Sequence, residues 1–404
     1  MSTLLPADLA HLDGHILDVD SHEMMPLQVW EETFGPEVRP LVEAWRNNGE
    51  TAETDKNHPN VPDYAGDVAP IDEEVLIVKG STAPGAADYE RRLQVMDAMG
   101  VRAQLMFPGS IGLYGTVLRA NHDDLELFPS ITSGRVEFAD KCIRMYQDYL
   151  LDIAKFSDRI LPVAPIIEDD VESVIATARR LIDSGIKAIW LPAGLPVGGV
   201  SPASLSLDPL WAMCAEADVA VTLHIGGDGR LLASRAWEQA EAFEGFRSLG
   251  EFSVDPYSTS SLHVPFQNFT AVMVLGGVFD RHPNLRFGVI EVGAHWVGPL
   301  MENMDMWWKA MGHFNKNPHK LKELPSTYIK NNIRVSFFHF EPIDVYVDRY
   351  PGIDRVLSFS TDYPHVEGGK DVFRRTYAKL ERHGKGVVDR IFVENPGLLM
   401  PSSV

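Results

Sequence analysis

The stretch Ile16-Leu17-Asp18-Val19-Asp20-Ser21-His22-Glu23 opens as an apolar strand and continues into side chains that bind metal ions. Alternate residues of a strand project from the same face, so at least two of Asp18, Asp20 and His22 are expected to converge at its end. Carboxylate and imidazole ligands together suit Zn, Mn or Fe. The alternative is an acidic turn that binds nothing, and a distant histidine ligand is the feature that argues against it.

The composition is that of an ordinary globular protein, with 45% hydrophobic and 23% charged residues. A formal net charge of −21 argues against binding to nucleic acid or to an anionic membrane, because both need a basic surface. No apolar run approaches the roughly 20 residues of a membrane span. The first residues, Met1 to Pro6, do not resemble a signal peptide. The two cysteines form no CxxC pair, and a cytoplasmic location is therefore expected.

Apolar strand-like runs alternate with helical stretches along most of the chain. This alternation predicts parallel βαβ units of the α/β class. Besides the strand that contains Asp18, the predicted strands are 101–107, 160–166, 188–191, 219–224, 285–291, 333–338 and 356–360. Eight strands separated by helices predict a (β/α)8 TIM barrel.

Two long segments interrupt this pattern. Residues 38–85 are rich in Pro, Asn, Asp and Glu, and we interpret them as an insertion after strand one that covers the mouth of the barrel. Residues 230–265 form a second long connection, after strand five. Long βα loops cluster at the active-site face of barrels. No repeat or linker divides the chain, so residues 1–404 are predicted to form one domain.

Five of the predicted strands end in side chains that can bind a metal, and the C-terminal ends of barrel strands face a common site. These side chains are Asp20 and His22 on strand one, His224 on strand five, Glu291 on strand six, His339 and Glu341 near the end of strand seven, and Asp362 on strand eight. Each has a plainer explanation in isolation, such as a packed core position for His224 or a turn for Asp362. Their common position at strand ends favours a metal site.

Four segments of the chain together resemble a known family. They are the Asp-x-Asp-x-His stretch at 18–22, the strand that ends in His224-Ile225-Gly226, the run 277–286 (GVFDRHPNLR), and the run 360–365 (STDYPH). The combination is similar to the amidohydrolase-related family, which includes enzymes of the aminocarboxymuconate-semialdehyde decarboxylase type. The resemblance implies a distorted (β/α)8 barrel with a divalent metal at its C-terminal mouth.

Carried over by position, the resemblance implies a ligand pair at Asp20 and His22, a ligand at His224, and a carboxylate at Asp362 that binds metal or handles a proton. Two positions depart from the family pattern. The family's decarboxylases usually begin with His-x-His, whereas Asp20 stands at the first position here. They also carry a catalytic histidine after strand six, where this chain has Glu291.

These departures have consequences for the expected metal. His295, four residues after Glu291, is a candidate replacement for the missing catalytic histidine. Carboxylates in place of imidazoles make a harder site that is better suited to Fe or Mn and able to bridge two ions. Glu23, His339 and Glu341, with His295, are candidate ligands of a second ion. The expected metal set is Asp20, His22, His224, Glu291 and Asp362, and the expected catalytic residues are Asp362, Glu291 and His295.

Three functions are compatible with such a site. The function we favour narrowly is a non-haem Fe or Mn monooxygenase that hydroxylates a small organic substrate with O2, because it would explain both departures. The alternative is a mononuclear Zn or Mn hydrolase or decarboxylase, in which metal-bound water has a lowered pKa. The third is a partner subunit of a related metalloenzyme that has lost turnover. A homo-oligomer, or a hetero-oligomer with a related chain, is expected.

Overall fold

A ring of eight parallel strands organises the chain. The computed structural model describes residues 4–46, 66–227, 240–243, 256–311 and 321–404. Each strand pairs in parallel with the next one along the chain. The strands are β1 (Ile16–His22), β2 (Val101–Phe107), β3 (Ile160–Pro165), β4 (Ala188–Trp190), β5 (Ala220–His224), β6 (Arg286–Ile290), β7 (Ile333–Ser336) and β8 (Leu357–Ser358).

The two outer members of this series, β1 and β8, meet through the residues that follow β8. Ser21 and Tyr363 form a parallel bridge. The amide of His22 donates to the carbonyl of Tyr363 at 2.8 Å, and the amide of Asp362 donates to the carbonyl of Asp20 at 2.8 Å. The ring is therefore nearly closed, and the predicted (β/α)8 barrel is confirmed.

Helices occupy the connections between the strands. Side chains of Asp88 and Asp170 cap two of them by accepting hydrogen bonds from backbone amides of the first turn. The α-helices span Trp30–Phe34, Arg39–Arg46, Tyr89–Met99, Ile111–Ala120, Arg135–Phe156, Val171–Asp183, Asp208–Glu216, Pro256–Ser261, Val264–Leu275, Val278–Arg281, Val297–Met311, Pro325–Asn332, Ile343–Arg349, Val372–Leu380, Lys385–Asp389 and Asn395–Gly397. In the described part of the chain, no helix combines the length and apolar character needed to cross a membrane.

The strand bounds follow the sequence prediction closely. Strand β2 has the predicted bounds, and β3 to β6 differ from prediction by one or two residues. Strands β7 and β8 are shorter than predicted, because the chain leaves the sheet early and turns into the loops that carry the site. The core has two parts, one between the sheet and the helices and a smaller one inside the barrel that includes Leu17, Val19, Leu105 and Trp190.

The two predicted insertions are described only in part. Residues 47–65 of the first and 228–239 and 244–255 of the second connection lie outside the described residues. The described end of the first insertion contacts the loop after β8. Lys79 Nζ donates to the carbonyl of Gly369 at 2.9 Å, and the hydroxyl of Tyr363 donates to the carbonyl of Pro84 at 2.7 Å. Coverage of the barrel mouth by this insertion stays a prediction.

Candidate metal centre

Six ionisable side chains from four strand ends meet at the C-terminal mouth of the barrel. All are buried, and the most exposed of them keeps 5% of its surface accessible. Charged side chains are almost never buried to this extent unless they are paired or bind a metal. They are Asp20 and His22 on β1, His224 on β5, Glu291 directly after β6, and Asp362 and His365 after β8.

The donor atoms form two overlapping groups, in each of which one atom per residue lies within 4.8 Å of all the others. The first group contains Asp20, His22, His224 and Glu291. The second contains Asp362 and His365 together with His22 and Glu291, which both groups share. The groups therefore describe one compact cluster, which we call the six-residue cluster.

The histidine nitrogens lie against carboxylate oxygens in this cluster. His22 Nε2 lies 3.3 Å from Asp20 Oδ1 and 3.4 Å from both Glu291 Oε2 and Asp362 Oδ1. His224 Nε2 lies 2.9 Å from Glu291 Oε2 and 3.4 Å from Asp20 Oδ1. His22 Nε2 thus faces three carboxylates at once. A hydrogen bond would need only one of them, whereas a shared cation would draw all of them together.

Most of these atoms lack a hydrogen bond of normal geometry. Asp20 Oδ1, His22 Nε2, His224 Nε2, Glu291 Oε2 and both carboxylate oxygens of Asp362 are buried and have no hydrogen-bond partner among the described residues. Unsatisfied buried polar atoms are rare in folded proteins because each costs free energy. A divalent cation held between them would satisfy these atoms and offset the three carboxylate charges. The residues present therefore fit a divalent metal ion.

The orientation of His224 agrees with a ligand role. Its Nδ1 lies 3.0 Å from the carbonyl oxygen of Ile225, which can only accept, so Nδ1 carries the proton. In the neutral ring this leaves the lone pair on Nε2, the atom that faces the cluster. Such a bond from the far nitrogen is the usual way in which a protein fixes a metal-binding histidine. The ring also stacks on Phe107, with centroids 4.2 Å apart.

An irregularity in β1 orients the side chain of Asp20. Between Asp18 and Ser21, three residue steps on β1 span two steps on β2, from Gln104 to Met106, so that β1 contains a bulge. Val19 packs inside the barrel, and the bulge lets the next residue, Asp20, face the interior as well. Of Asp18, Asp20 and His22, at least two of which were expected to converge, Asp20 and His22 lie together in the cluster and Asp18 does not join them.

Asp18 has a supporting position instead. Its carboxylate accepts hydrogen bonds from the amide of Thr361 at 2.9 Å and from the Thr361 hydroxyl. Burial raises the pKa of Asp18 to about 7, although these hydrogen bonds act in the opposite direction. Because Thr361 directly precedes Asp362, this contact links β1 to the loop that carries the next cluster residue.

Left-handed backbone conformations orient the side chains of two further residues, Glu291 and Asp362. Glu291 has φ 58° and Asp362 has φ 50°, a region that side-chain-bearing residues rarely adopt and that is enriched at functional sites. Ile290 packs inside the barrel, so strict alternation would turn Glu291 outward. The turn at Glu291 sends its side chain to the cluster, and its amide donates to Ser336 Oγ at 2.8 Å.

Without a cation, the charges of the cluster adjust to one another. Burial favours a neutral His224, but the charge of Glu291 and the contact with Asp20 outweigh it and raise the pKa of His224 to about 10. Burial likewise opposes charge on Glu291, yet the charge of His224 and the close contact with the His22 imidazole hold the pKa of Glu291 well below its usual value. Burial and the charge of Glu291 raise the pKa of Asp362 well above its usual value. Protons and a metal ion would therefore compete for the same atoms.

Not every predicted site residue reaches the cluster. The structure leaves His295 outside it, because the chain turns at Glu291 and again at Gly293, which has φ 71°. His295 is exposed, and its Nε2 lies 3.3 Å from Nδ1 of His263. The interpretation of His295 as a replacement catalytic histidine is therefore not supported by its position.

The other candidates for a second ion also have different partners. Glu23 accepts from Ser110 Oγ at 2.8 Å and from the hydroxyl of Tyr146 at 3.2 Å. Glu341 accepts from the amides of Ala294 and Phe338. Both carboxylates thus stabilise loops, and neither belongs to the groups that can hold a metal among the described residues.

Two site residues were missed from the sequence. His365 Nδ1 lies 3.1 Å from Asp362 Oδ1, and its ring stacks on His22 with centroids 3.8 Å apart. Glu367 lines the neighbouring cavity, and burial raises the pKa of its carboxyl. Both follow β8 in a loop without periodicity. The motif at 360–365 contained His365, but only the turn in which its amide donates to the carbonyl of Asp362 brings it back to the cluster.

A small cavity borders the cluster. Asp20, Glu291, Asp362, Phe338 and His339 contribute to its wall, and its volume is about 10 Å³. This volume holds about one water molecule. Access of a larger molecule to the cluster requires the wall to move.

Several solved structures are similar to the whole barrel. An amidohydrolase of Mycobacterium avium subsp. paratuberculosis K-10 is 20% identical, with a TM-score of 0.65 over 95% of this chain and 99% of that chain. A 5-carboxyvanillate decarboxylase of Novosphingobium aromaticivorans DSM 12444, complexed with manganese and 4-hydroxy-3-methoxy-5-nitrobenzoic acid, is 17% identical (TM-score 0.58, 99% of each chain). A dihydroxybenzoic acid decarboxylase of Polaromonas sp. JS666, with bound manganese and the inhibitor 2-nitroresorcinol, is 15% identical (TM-score 0.54, 96% of each chain).

These similarities establish the fold. Among curated protein sequences, none matches the chain significantly. A family model described as amidohydrolase matches residues 123–399, which is more than half of the chain. That span includes β3 to β8 and four of the six cluster residues, His224, Glu291, Asp362 and His365. The chain belongs to the amidohydrolase family, as the resemblance of its motifs indicated.

Proposed function

We propose that this protein is a divalent-metal-dependent decarboxylase that releases CO2 from a hydroxylated aromatic acid. The observation that carries the proposal is the buried six-residue cluster, whose unsatisfied oxygen and nitrogen atoms fit a divalent cation. Two proteins of the same fold that cover nearly the whole chain are decarboxylases of such acids, and both contain manganese. These similarities support the decarboxylase alternative rather than the predicted monooxygenase.

We assign the metal to the group Asp20, His22, His224 and Glu291. Two carboxylates and two imidazoles form a mixed donor set that suits Mn more than a thiolate-preferring metal, with Fe and Zn as the alternatives. Because both groups share His22 and Glu291, a single ion per chain is expected. When bound, the ion would supply positive charge that holds a substrate oxygen and stabilises negative charge there.

Asp362 and His365 then remain for proton transfer. Asp362 lines the cavity beside the cluster, and His365 Nδ1 lies 3.1 Å from its carboxylate. In the proposed reaction, Asp362 donates a proton to the ring carbon that bears the carboxylate. The bond between that carbon and the carboxylate breaks, its electron pair returns to the ring, and CO2 leaves. Solvent restores the proton to the Asp362–His365 pair.

The charges around the cavity support an acidic substrate. Three cations lie near His339, one against its ring and two bonded to backbone carbonyls beside it. Arg375 Nη1 lies 3.5 Å from His339 Nδ1, Lys379 Nζ donates to the carbonyl of His339 at 2.6 Å, and Lys79 bonds to the carbonyl of Gly369. Burial lowers the pKa of His339, and the charges of Arg375, Lys379 and Lys79 lower it further, although Asp371 acts in the opposite direction. The chain as a whole has a net charge of −21. A local group of cations at the His339 side of the cavity would nevertheless attract an anion to it.

The size of the cavity adds a requirement. A volume of about 10 Å³ is far too small for an aromatic ring, so substrate binding requires the wall to open. Phe338 and His339 are only partly buried, so they can move with less loss of packing than the fully buried wall residues. We therefore expect binding to be coupled to a rearrangement of the loop after β7.

The experiment is a parallel measurement of CO2 release and O2 uptake. Protein loaded with Mn²⁺, Fe²⁺ or Zn²⁺ is incubated with 5-carboxyvanillate and with a set of dihydroxybenzoates, and metal-free protein serves as the control. Metal-dependent CO2 release without O2 uptake is the expected result. O2 uptake with product hydroxylation would instead support the monooxygenase, and inactivity that only a related co-purifying chain relieves would support the partner subunit.

A further inference from the structure

Arg92 is a fully buried cation without a carboxylate partner among the described residues. It lies on the helix Tyr89–Met99 and is 0% exposed. Its Nε donates to the carbonyl of Gly85 at 2.6 Å, its Nη1 donates to the carbonyl of Tyr363 at 3.3 Å, and its Nη2 donates to the carbonyl of His22. All three acceptors are uncharged backbone oxygens.

A buried charge of this kind is costly, because it loses its hydration without gaining an ion pair. Burial accordingly lowers the pKa of Arg92. The guanidinium also lies over the ring of Tyr363, 5.0 Å from its centroid, where a cation is attracted to the aromatic face. These contacts compensate part of the cost, and they all direct the side chain toward one place.

That place is the junction between the two ends of the barrel that carry the cluster. His22 is itself a cluster residue, and Tyr363 directly follows Asp362. The carbonyl of Tyr363 already accepts from the amide of His22 at 2.8 Å, so Arg92 adds a second donor to the same oxygen. The guanidinium thus bonds to both sides of the closure between β1 and β8, and it connects them to Gly85 in the first insertion.

The packing of this junction leaves little freedom. A Cβ on Gly85 would lie 2.6 Å from both N and Cα of Arg92, and Gly85 has φ 71°. The insertion therefore lies directly on the first turn of the helix that carries Arg92. The planar fork of the guanidinium fixes the directions of its hydrogen bonds, which a lysine ammonium does not.

We propose that Arg92 is a positioning residue for the metal centre, which sets the spacing between His22 and Asp362 through the backbone on either side of the barrel closure. Arg92 touches neither the metal nor the substrate in this arrangement. The inference rests on the six-residue cluster as a metal site and is independent of the reaction catalysed there. Loss of a residue that orients metal ligands typically lowers metal affinity 10- to 100-fold.

The chain offers a matched control in Arg135. This arginine is also buried, 6% exposed, and its guanidinium also donates to backbone carbonyls, those of Asp124, Leu127, Phe128 and Ile131. These carbonyls lie in the loop before the helix Arg135–Phe156 and include no cluster residue. Substitution of Arg135 therefore removes a comparable buried network without changing the closure of the barrel.

The test compares Arg92→Lys and Arg92→Met with Arg135→Lys and Arg135→Met. Each protein is stripped of metal and titrated with Mn²⁺ while the electron paramagnetic resonance signal of the free ion is followed. The Tm of the metal-free protein is measured in parallel. We expect the Kd for Mn²⁺ to rise roughly 10- to 100-fold in both Arg92 variants, and to stay within about twofold of wild type in the Arg135 variants whatever their Tm.

Two results would overturn the proposal. Wild-type affinity for Mn²⁺ in the Arg92 variants would mean that the closure keeps its spacing without the guanidinium. Failure of both Arg92 variants to fold, with folded Arg135 variants, would assign Arg92 to the stability of the barrel rather than to the metal centre. Arg92→Lys keeps the positive charge. A raised Kd for Mn²⁺ in this variant would therefore attribute the effect to the planar geometry of the guanidinium.

Discussion

His224 Nε2 lies 2.9 Å from Glu291 Oε2, and the two residues stand at the adjacent ends of β5 and β6. In the metal-free protein this contact is stabilised by a proton on the imidazole. With an ion bound in the cluster, both atoms would serve as ligands and the proton on the imidazole would have to leave. The pair is therefore the point at which metal binding and protonation exclude each other.

The first prediction concerns pH. The pKa of His224 is about 10 in the metal-free fold, whereas an unperturbed histidine has a pKa of about 6.5. The stabilisation from protonated His224 is therefore complete below pH 6.5 and is lost as the pH rises toward 10. At pH 8, binding of Mn²⁺ should release at least one proton per ion, as measured by calorimetry in buffers of different ionisation enthalpy. Metal binding without proton release at this pH would contradict the assignment.

The second prediction separates the cluster from other histidines. His224→Ala removes a donor whose far nitrogen is fixed by Ile225, and we expect Mn²⁺ retention after gel filtration to be lost. His263→Ala is the control, since His263 pairs with His295 outside the cluster and its loss should leave the metal content unchanged. The metal content is measured by atomic absorption. Full metal content in His224→Ala, equal to that of His263→Ala, would mean that the cluster is not the metal site.

The third prediction divides metal binding from proton transfer. Asp362→Asn keeps the shape of the side chain but cannot donate a proton to the ring carbon. We expect it to retain Mn²⁺ and to lower the rate of CO2 release by roughly 10²- to 10⁴-fold, the usual range for loss of a general acid. The control is Asp280→Asn, a carboxylate that accepts from the hydroxyl of Tyr328 outside the cluster. Loss of metal together with activity in Asp362→Asn would make Asp362 a ligand instead of the proton donor.

The fourth prediction concerns the cationic edge near His339. Arg375→Ala should weaken binding of 4-hydroxy-3-methoxy-5-nitrobenzoate, which carries a carboxylate, and should affect 2-nitroresorcinol less. For an exposed arginine we expect a two- to fivefold change in Kd, or about 0.4–1 kcal/mol. The neighbouring exposed Arg374→Ala removes the same charge and is the matched control. Equal losses for both ligands, or for both variants, would point to a general field effect.

A fifth prediction concerns stability. Because an ion that binds only the folded chain shifts the unfolding equilibrium, Mn²⁺ at 100 times its Kd should stabilise the protein by about 2.7 kcal/mol. The shift should be absent in Glu291→Gln, which loses a carboxylate shared by both donor groups. Thermal unfolding with and without Mn²⁺ measures both effects. A full shift in Glu291→Gln would mean that the ion binds elsewhere.

The barrel could be predicted from the sequence because the apolar pattern that specifies it is periodic. Apolar runs of strand length separated by helical stretches are repeated eight times, and the order of the strands follows from parallel pairing along the chain. The same regularity places strand ends on one face. For this reason the residues His22 and His224, at the ends of β1 and β5, could be assigned to a common site.

The aim of individual side chains was predicted less well, because it depends on departures from periodicity. A bulge in β1 turns Asp20 inward and leaves Asp18 with Thr361, although both lie at two-residue spacing. A left-handed turn directs Glu291 into the site and His295 away from it. His365 returns to the cluster through a loop whose path no pattern of apolar residues encodes.

The metal centre is tested most directly by the metal content of protein purified without added metal, compared with the number of Mn²⁺ ions that the stripped protein binds. We expect one divalent ion per chain at saturation in the wild type, and loss of that ion in His224→Ala. A stoichiometry of two would restore a dinuclear centre and its oxygen chemistry. No bound divalent ion at millimolar Mn²⁺ would contradict the metal centre itself.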